Sequence, residues 1–291
     1  MASVIRAEWY RAIRSWRFWV TAALALALFC LTMVQYANPL LPQTTPSMNN
    51  LYTVTLAFLG GYFQALWVIF VPVLAVLPAG DGMAVDRRRG VDAVALTRIG
   101  WTAYLWGKIV GNALVAAGAV AIAMGVAMGI AATLYPVTLP HFLGWAVNNA
   151  LPYRVKISGA FGYAYPPAFD PHFFWAAPGL YVLAVVGVAL WVIAVLSSLS
   201  ILAALWIRQP ILTMAAPMIL YLGANVANQS VLPDGHLNPA VYAGAYLYWA
   251  RPGPSWAALV FYWTVPAVVV LMVLSWVGMR RREWPLRSVE Q

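Results

Sequence analysis

Charge is scarce in this chain. Asp, Glu, Lys and Arg make up 9% of its 291 residues, against about 25% in an ordinary soluble domain. A soluble protein so poor in charge could not cover its surface with groups that water accepts. Apolar residues reach 63%, so the chain reads as an integral membrane protein with most of its length in lipid. Cysteine is nearly absent: Cys30 stands alone inside the first hydrophobic run, which excludes an intrachain disulfide. Acidic residues are outnumbered, 8 against 17 basic ones. In a soluble protein that balance would suggest nucleic acid. Here it follows the tendency of membrane proteins to keep Arg and Lys on the cytoplasmic side, and no nucleic-acid partner is expected.

Several motifs are also missing. No G-x-x-x-x-G-K-[ST] phosphate loop is present, and the nearest approach, Gly100 to Lys108, has Ile109 where Ser or Thr is required. The chain itself therefore binds no ATP by that route and is not expected to be an enzyme. There is no H-E-x-x-H, no G-x-S-x-G and no carboxylate pair. His141, His172 and His236 are far apart in loops, so no metal site and no cofactor in this chain are expected. The middles of the hydrophobic runs contain no ionisable side chain, which argues against an ion-coupled transporter.

What remains is an all-α integral membrane protein, a single transmembrane domain over 1–291. Six spans are read at about 18–36, 54–77, 103–134, 174–205, 211–231 and 256–279, each long enough to cross a hydrocarbon core. The first is read as a retained span, not a signal peptide. Pro178 is expected to bend the outer end of the fourth span. Both termini are placed in the cytoplasm, because all basic residues except Arg154, Lys156 and Arg251 then fall inside. The external loops are 136–172 and 232–255, and their many Tyr, Phe and Trp residues suit an aromatic belt or an outer gate.

Ahead of the first span, residues 1–17 form an amphipathic interfacial helix. A helical wheel sets Ile5, Trp9, Ala12, Ile13 and Trp16 on one face and Arg6, Tyr10, Arg11, Arg14 and Arg17 on the other, suited to membrane lipid. Between spans two and three, residues 80–100 form the most polar segment, a cytoplasmic one. Gly80 and Asp86-Arg87-Arg88-Arg89-Gly90 lead into Val91, Asp92, Val94, Ala95, Leu96, Thr97, Arg98 and Ile99, with apolar residues at helical spacing. That segment is too short to span and too apolar for a solvated loop, and it suits a docking helix seated in a partner's groove. Asp86 and Asp92 offer charge pairing there, and Val91, Val94 and Leu96 offer apolar contact. Lys108 reads as a side chain snorkelling to the interface. Among the polar groups within spans, Gln64, Asn112 and Asn225 are the candidates for lining a pathway.

The order Asp86-Arg87-Arg88-Arg89-Gly90, Leu96-Thr97-Arg98, Tyr104, Gly107-Lys108 resembles the permease subunits of ABC-2-type exporters. The resemblance extends to the architecture of the whole chain. It implies a coupling segment (Asp86, Arg87, Arg88, Arg89, Gly90, Asp92, Val94, Leu96, Thr97, Arg98) docked on a separate ATP-binding cassette subunit, which carries the ATP and magnesium. It also implies a second permease chain, identical or different, a plasma-membrane location, and export of a hydrophobic or amphipathic substrate. Two other classes stay open: a non-transporting immunity or accessory subunit, which could use the same fold, and an outer-face enzyme acting on lipid, for which the external loops offer two Asp and three His.

Overall fold

The computed structural model describes residues 1–37, 51–60, 64–90, 98–135, 137, 153–157, 160–164, 176–231 and 264–280. The chain opens with α1 (Ala2–Ile13) and α2 (Trp16–Ala37). The second hydrophobic run carries α3 (Leu51–Gly60) and α4 (Gln64–Val76), and α5 (Gly82–Arg88) follows. Then come the long α6 (Trp101–Leu134), α7 (Pro178–Ala203), α8 (Pro210–Val231) and α9 (Val265–Arg280). Among the described residues, Trp16–Val34, Trp101–Leu134 and Pro178–Ala203 are long and apolar enough to cross a membrane. Leu66–Val76, Pro210–Val226 and Ala267–Val277 are shorter apolar helices.

One expectation is corrected and one loop gains detail. The described hydrophobic runs are helical, as the all-α reading has them, and within the loop read at 136–172 β1 (Tyr153–Ile157) and β2 (Ala160–Ala164) pair antiparallel, Tyr153 opposite Ala164 and Ile157 opposite Ala160. The alternation Tyr-Arg-Val-Lys-Ile has the period of a strand, which outweighs helix formation over so short a stretch. Pro178 does not bend a helix but begins one, at the first turn after Ala177. There its missing N–H costs nothing and its fixed φ suits the helix.

Helix α6 organises the bundle. Its 34 residues extend about 50 Å at 1.5 Å per residue, well beyond the roughly 30 Å of a hydrocarbon core. Its length therefore exceeds that of the apolar layer, and its N-terminal part, from Trp101 to Asn112, forms its foot. Ala116, Val120, Ala123, Ala127 and Ala131 form a buried small-residue stripe in the main core, packed with Phe29 of α2, Trp67 of α4 and Val185 and Ala189 of α7. Small side chains let helix backbones approach closely where lipid offers no hydrophobic drive to pack. The Phe29 and Trp67 rings meet at 5.5 Å between centroids.

The lower half of α6 receives α1. A Cβ on Gly107 would lie 2.7 Å from Val4 Cβ, one on Gly111 3.1 Å from Glu8 Cβ, and one on Gly118 2.6 Å from the Trp9 ring. These glycines are the seat of α1. The seated face is Val4, Glu8 and Ala12, all buried, a face rotated from the one the wheel selected. Ile13 and Trp16 are exposed, as are Arg6 and Arg14, while Ile5 and Trp9 are half-buried. The join between α1 and α2 is tight: Ser15 Oγ accepts the Arg17 N–H, and Trp19 Nε1 donates to Ile13 O at 2.8 Å.

The glycine seat has a direct test. Replacing Gly107 or Gly118 with Leu should unseat α1, costing about 1–3 kcal/mol as overpacking does. A thiol at Ala12 (Ala12→Cys with Cys30→Ser) should then label rapidly in detergent. Gly125→Leu is the control, because a Cβ there meets nothing within 4 Å, and it should leave Ala12→Cys protected.

Candidate functional site: a buried ion-pair cluster joining α1, α5 and α6

The foot of α6 places Tyr104, Lys108 and Asn112 one helical turn apart on successive levels. Lys108 is the centre of the site. Its side chain is 2% exposed, so it does not snorkel to the interface as the sequence suggested. Its Nζ lies 2.6 Å from Glu8 Oε1 on α1 and also pairs with Asp86 Oδ2 on α5. Arg11 of α1 reaches over the top, with Nη1 2.9 Å from Asp86 Oδ1 and 3.5 Å from Glu8 Oε1. The Tyr104 hydroxyl donates to Asp86 Oδ2 at 3.2 Å, and the Tyr104 ring lies 5.7 Å from Lys108 Nζ. Two cations and two carboxylates thus join three elements far apart in sequence.

The balance of forces at Arg11 is resolved. Burial lowers its pKa, but the Glu8 and Asp86 carboxylates outweigh that, and the net shift is upward. Arg11 therefore holds its charge over the cluster at any physiological pH.

Further ties fix α5. Arg17 Nη1 binds Asp81 Oδ2 at 2.7 Å, linking the start of α2 to the turn before α5. Arg87 Nη1 donates to Ala204 O at 2.7 Å. That contact places a cation on the carbonyl end of α7, where the last C=O groups lack helical partners. Met83 and Ala84 pack with Leu105 and Ile109 of α6 and Ile201, Leu202 and Leu205 at the end of α7. Helix α5 is capped by Arg89 and followed by Gly90, whose φ of 67° provides the left-handed turn that non-glycine residues resist. Gly100, with φ 80°, makes the corresponding turn into α6.

The sequence-derived coupling residues therefore divide. Asp86 and Arg87 are committed inside the chain, whereas Arg88, Arg89, Gly90 and Arg98 are exposed. Asp92, Val94, Leu96 and Thr97 lie outside the described residues. Glu8 was missed on the sequence because the wheel set it on neither face. Its signal was the spacing Val4-Glu8-Ala12 opposite glycines at 107 and 111.

The pathway candidates also separate. Asn112 is 1% exposed. Its Nδ2 donates to Ser197 O at 2.9 Å, and Ser197 Oγ donates to Asn112 O at 3.2 Å, so it joins α6 to α7. Asn225 is half-buried in α8, and the Gln64 side chain lies outside the described residues. Among the described residues, no group of His, Cys, Asp and Glu is placed to hold a metal ion.

The cluster predicts strong non-additivity. Lys108→Met leaves two buried carboxylates short of a partner, and Glu8→Gln leaves Lys108 underpaired, each at about 3–5 kcal/mol, the usual penalty of breaking a buried pair. The double variant should be less damaging than the sum of the two, which thermal unfolding of all four proteins in one detergent would show. Asn112→Ala should cost about 1 kcal/mol, as loss of one interhelical hydrogen-bond set does in a membrane.

A profile of the ABC-2 family transporter proteins matches residues 2–284. No curated protein sequence matches the chain.

Proposed function

From its membership of the ABC-2 family transporter proteins, we propose that this chain is the permease subunit of an ATP-driven exporter for a hydrophobic or amphipathic substrate. The chain is a transmembrane ABC transporter permease. Beyond that, the reading is that six spans cross the plasma membrane with both termini in the cytoplasm. Two permease chains enclose the path, and a separate ATP-binding cassette subunit, which carries the ATP and magnesium, docks on residues 80–100.

The observation that supports the docking reading is the cluster on Lys108. A partner can drive a membrane helix only through a connection that does not yield. Here α5, α1 and the foot of α6 are joined by buried ion pairs, by Arg87 on the α7 terminus and by the apolar contacts of Met83 and Ala84. Displacement of α5 would move α6 directly, and α6 contributes the central stripe of the bundle core. The partner's two nucleotide states would then favour different arrangements of the spans, and only differential binding to those arrangements does work.

The chain purified from its own membrane in mild detergent should carry a Walker-motif protein and show vanadate-sensitive ATP hydrolysis. Val94→Asp with Leu96→Asp should abolish that association while leaving the chain inserted. A preparation that hydrolyses no ATP, in detergent and again in lipid nanodiscs, would overturn the reading.

A further inference from the structure

Helix α6 carries five glycines, and they fall into two groups. Gly107, Gly111 and Gly118 are filled: Val4, Glu8 and Trp9 of α1 occupy the space that a Cβ would need. Gly125 and Gly129, in the C-terminal half, are not. Both are exposed, and a Cβ on either would meet nothing within 4 Å among the described residues. A glycine inside a helix costs backbone entropy. The close approach of another helix offsets that cost, whereas an acyl chain moulds to any surface and gains nothing from a missing side chain. Gly187 of α7 and Gly223 of α8 are also open, but neither has a second glycine four residues away.

The neighbours of Gly125 and Gly129 give the face its shape. Residues four apart on a helix form rows. One row runs through Ala121, Gly125 and Gly129, and its side chains have almost no height. The next row runs through Ile122, Val126 and Ile130, all exposed. Every residue of that row is β-branched, so its side chains are stiff before anything packs on them. A shallow groove thus lies beside a stiff ridge. Above the groove, Thr133 Oγ1 donates to Ile130 O at 2.7 Å, so its hydroxyl is already satisfied and the face suits an apolar occupant.

We propose that a second copy of this chain packs on this face, α6 against α6 about a two-fold axis. The proposal deepens the permease reading, on which it rests for the expectation of a second chain, and it adds the face by which the two meet. Shape selects the occupant. A groove and a ridge one row apart on the same helix are self-complementary: a two-fold rotation lays the Ile122–Val126–Ile130 ridge of each helix into the groove of the other. Membrane insertion supplies the orientation. Two copies inserted the same way present α6 in parallel, and parallel helices with glycines four apart cross right-handed at about −40° with their backbones in contact. Helix α6 already behaves in this way inside one chain, where Gly107 and Gly111, at the same spacing, take α1. Lys108 is the only charged side chain of α6, so close packing and not ion pairing holds the second copy.

The test uses the full chain with Cys30→Ser in phosphatidylcholine vesicles. Val126→Cys places a thiol on the ridge, and mild oxidation should join two chains through it. Leu183→Cys, exposed on α7, is the lipid-facing comparison and should stay unjoined. Association is measured separately, by energy transfer between chains labelled at the C-terminus as added lipid dilutes them. Gly125→Leu with Gly129→Leu should weaken it by roughly tenfold to a hundredfold, the range that overpacking spans. Gly125→Ala with Gly129→Ala should fall between. Continued protection of a thiol at Ala12 (Ala12→Cys) shows that these variants fold with α1 seated.

A chain that stays monomeric, with lipid alone on the face, would overturn the proposal. So would a dimer that ignores both glycines and leaves the Val126→Cys thiols unjoined, because the copies would then meet elsewhere, and the permease reading would stand. A Val126→Cys thiol that resists a lipid-soluble maleimide at dilutions where the chain is monomeric would also overturn it, since a segment of the same chain would be covering the face. A cross-link in the native membrane to a different protein would do the same. None of these readouts involves ATP. A chain that pairs through α6 but carries no Walker-motif subunit would overturn the permease reading and leave the α6 contact in place.

Discussion

The burial of one ammonium group governs the rest of this structure. A Lys side chain taken out of water demands compensation, since transferring an ion to a low-dielectric interior costs several kcal/mol even after relaxation. Lys108 meets that demand with Glu8 and Asp86, and each carboxylate brings a different helix with it. Helix α1 is thereby fixed on the foot of α6, and α5 is fixed beside both. Arg11 and the Tyr104 hydroxyl complete the pairing of Asp86, and mutual pairing of this kind favours a single arrangement of a buried polar network.

Ion pairs alone would not position α1, because they tolerate sliding. The glycines at 107, 111 and 118 supply the missing constraint. They remove the side chains that would hold α1 away and leave a trough into which Val4, Glu8 and Trp9 fit at van der Waals distance. Shape fixes the depth and charge fixes the register. Together they make α1, α5 and the lower part of α6 one mechanical unit, while the alanine stripe above them meets α7 and α2 in the main core. A displacement applied at α5 thus has a defined route into the bundle.

Much of this was legible in the sequence, for physical reasons that can be named. The helices α2, α6 and α7 announce themselves by long apolar runs, because lipid leaves a chain no other way to satisfy its backbone. The polar segment at 80–100 was visible as a concentration of charge in a chain that otherwise has little. The hairpin at Tyr153–Ala164 was present as a two-residue alternation but was overlooked among residues assigned to a loop. The cluster itself was hidden because its members are 100 positions apart in the pair from Lys108 to Glu8. Helical periodicity sees only one element at a time. A wheel of α1 alone gives Glu8 no partner, and hydropathy alone sends Lys108 to the interface. Only the meeting of two helices shows that each is the other's reason for being buried. The same limit misplaced Asp86, which looks available until Lys108 and Arg11 are seen to hold it.

The separation of charge between inside and outside has a mechanical consequence. Exposed ion pairs contribute about 0.2–1 kcal/mol each and weaken with salt, whereas breaking a buried pair costs about 3–5 kcal/mol. The joint among α1, α5 and the foot of α6 is of the buried kind. A displacement of α5 therefore carries α1 and α6 with it before the joint yields. Salt, which screens exposed pairs, reaches this joint far less because its carboxylates and its lysine are out of water.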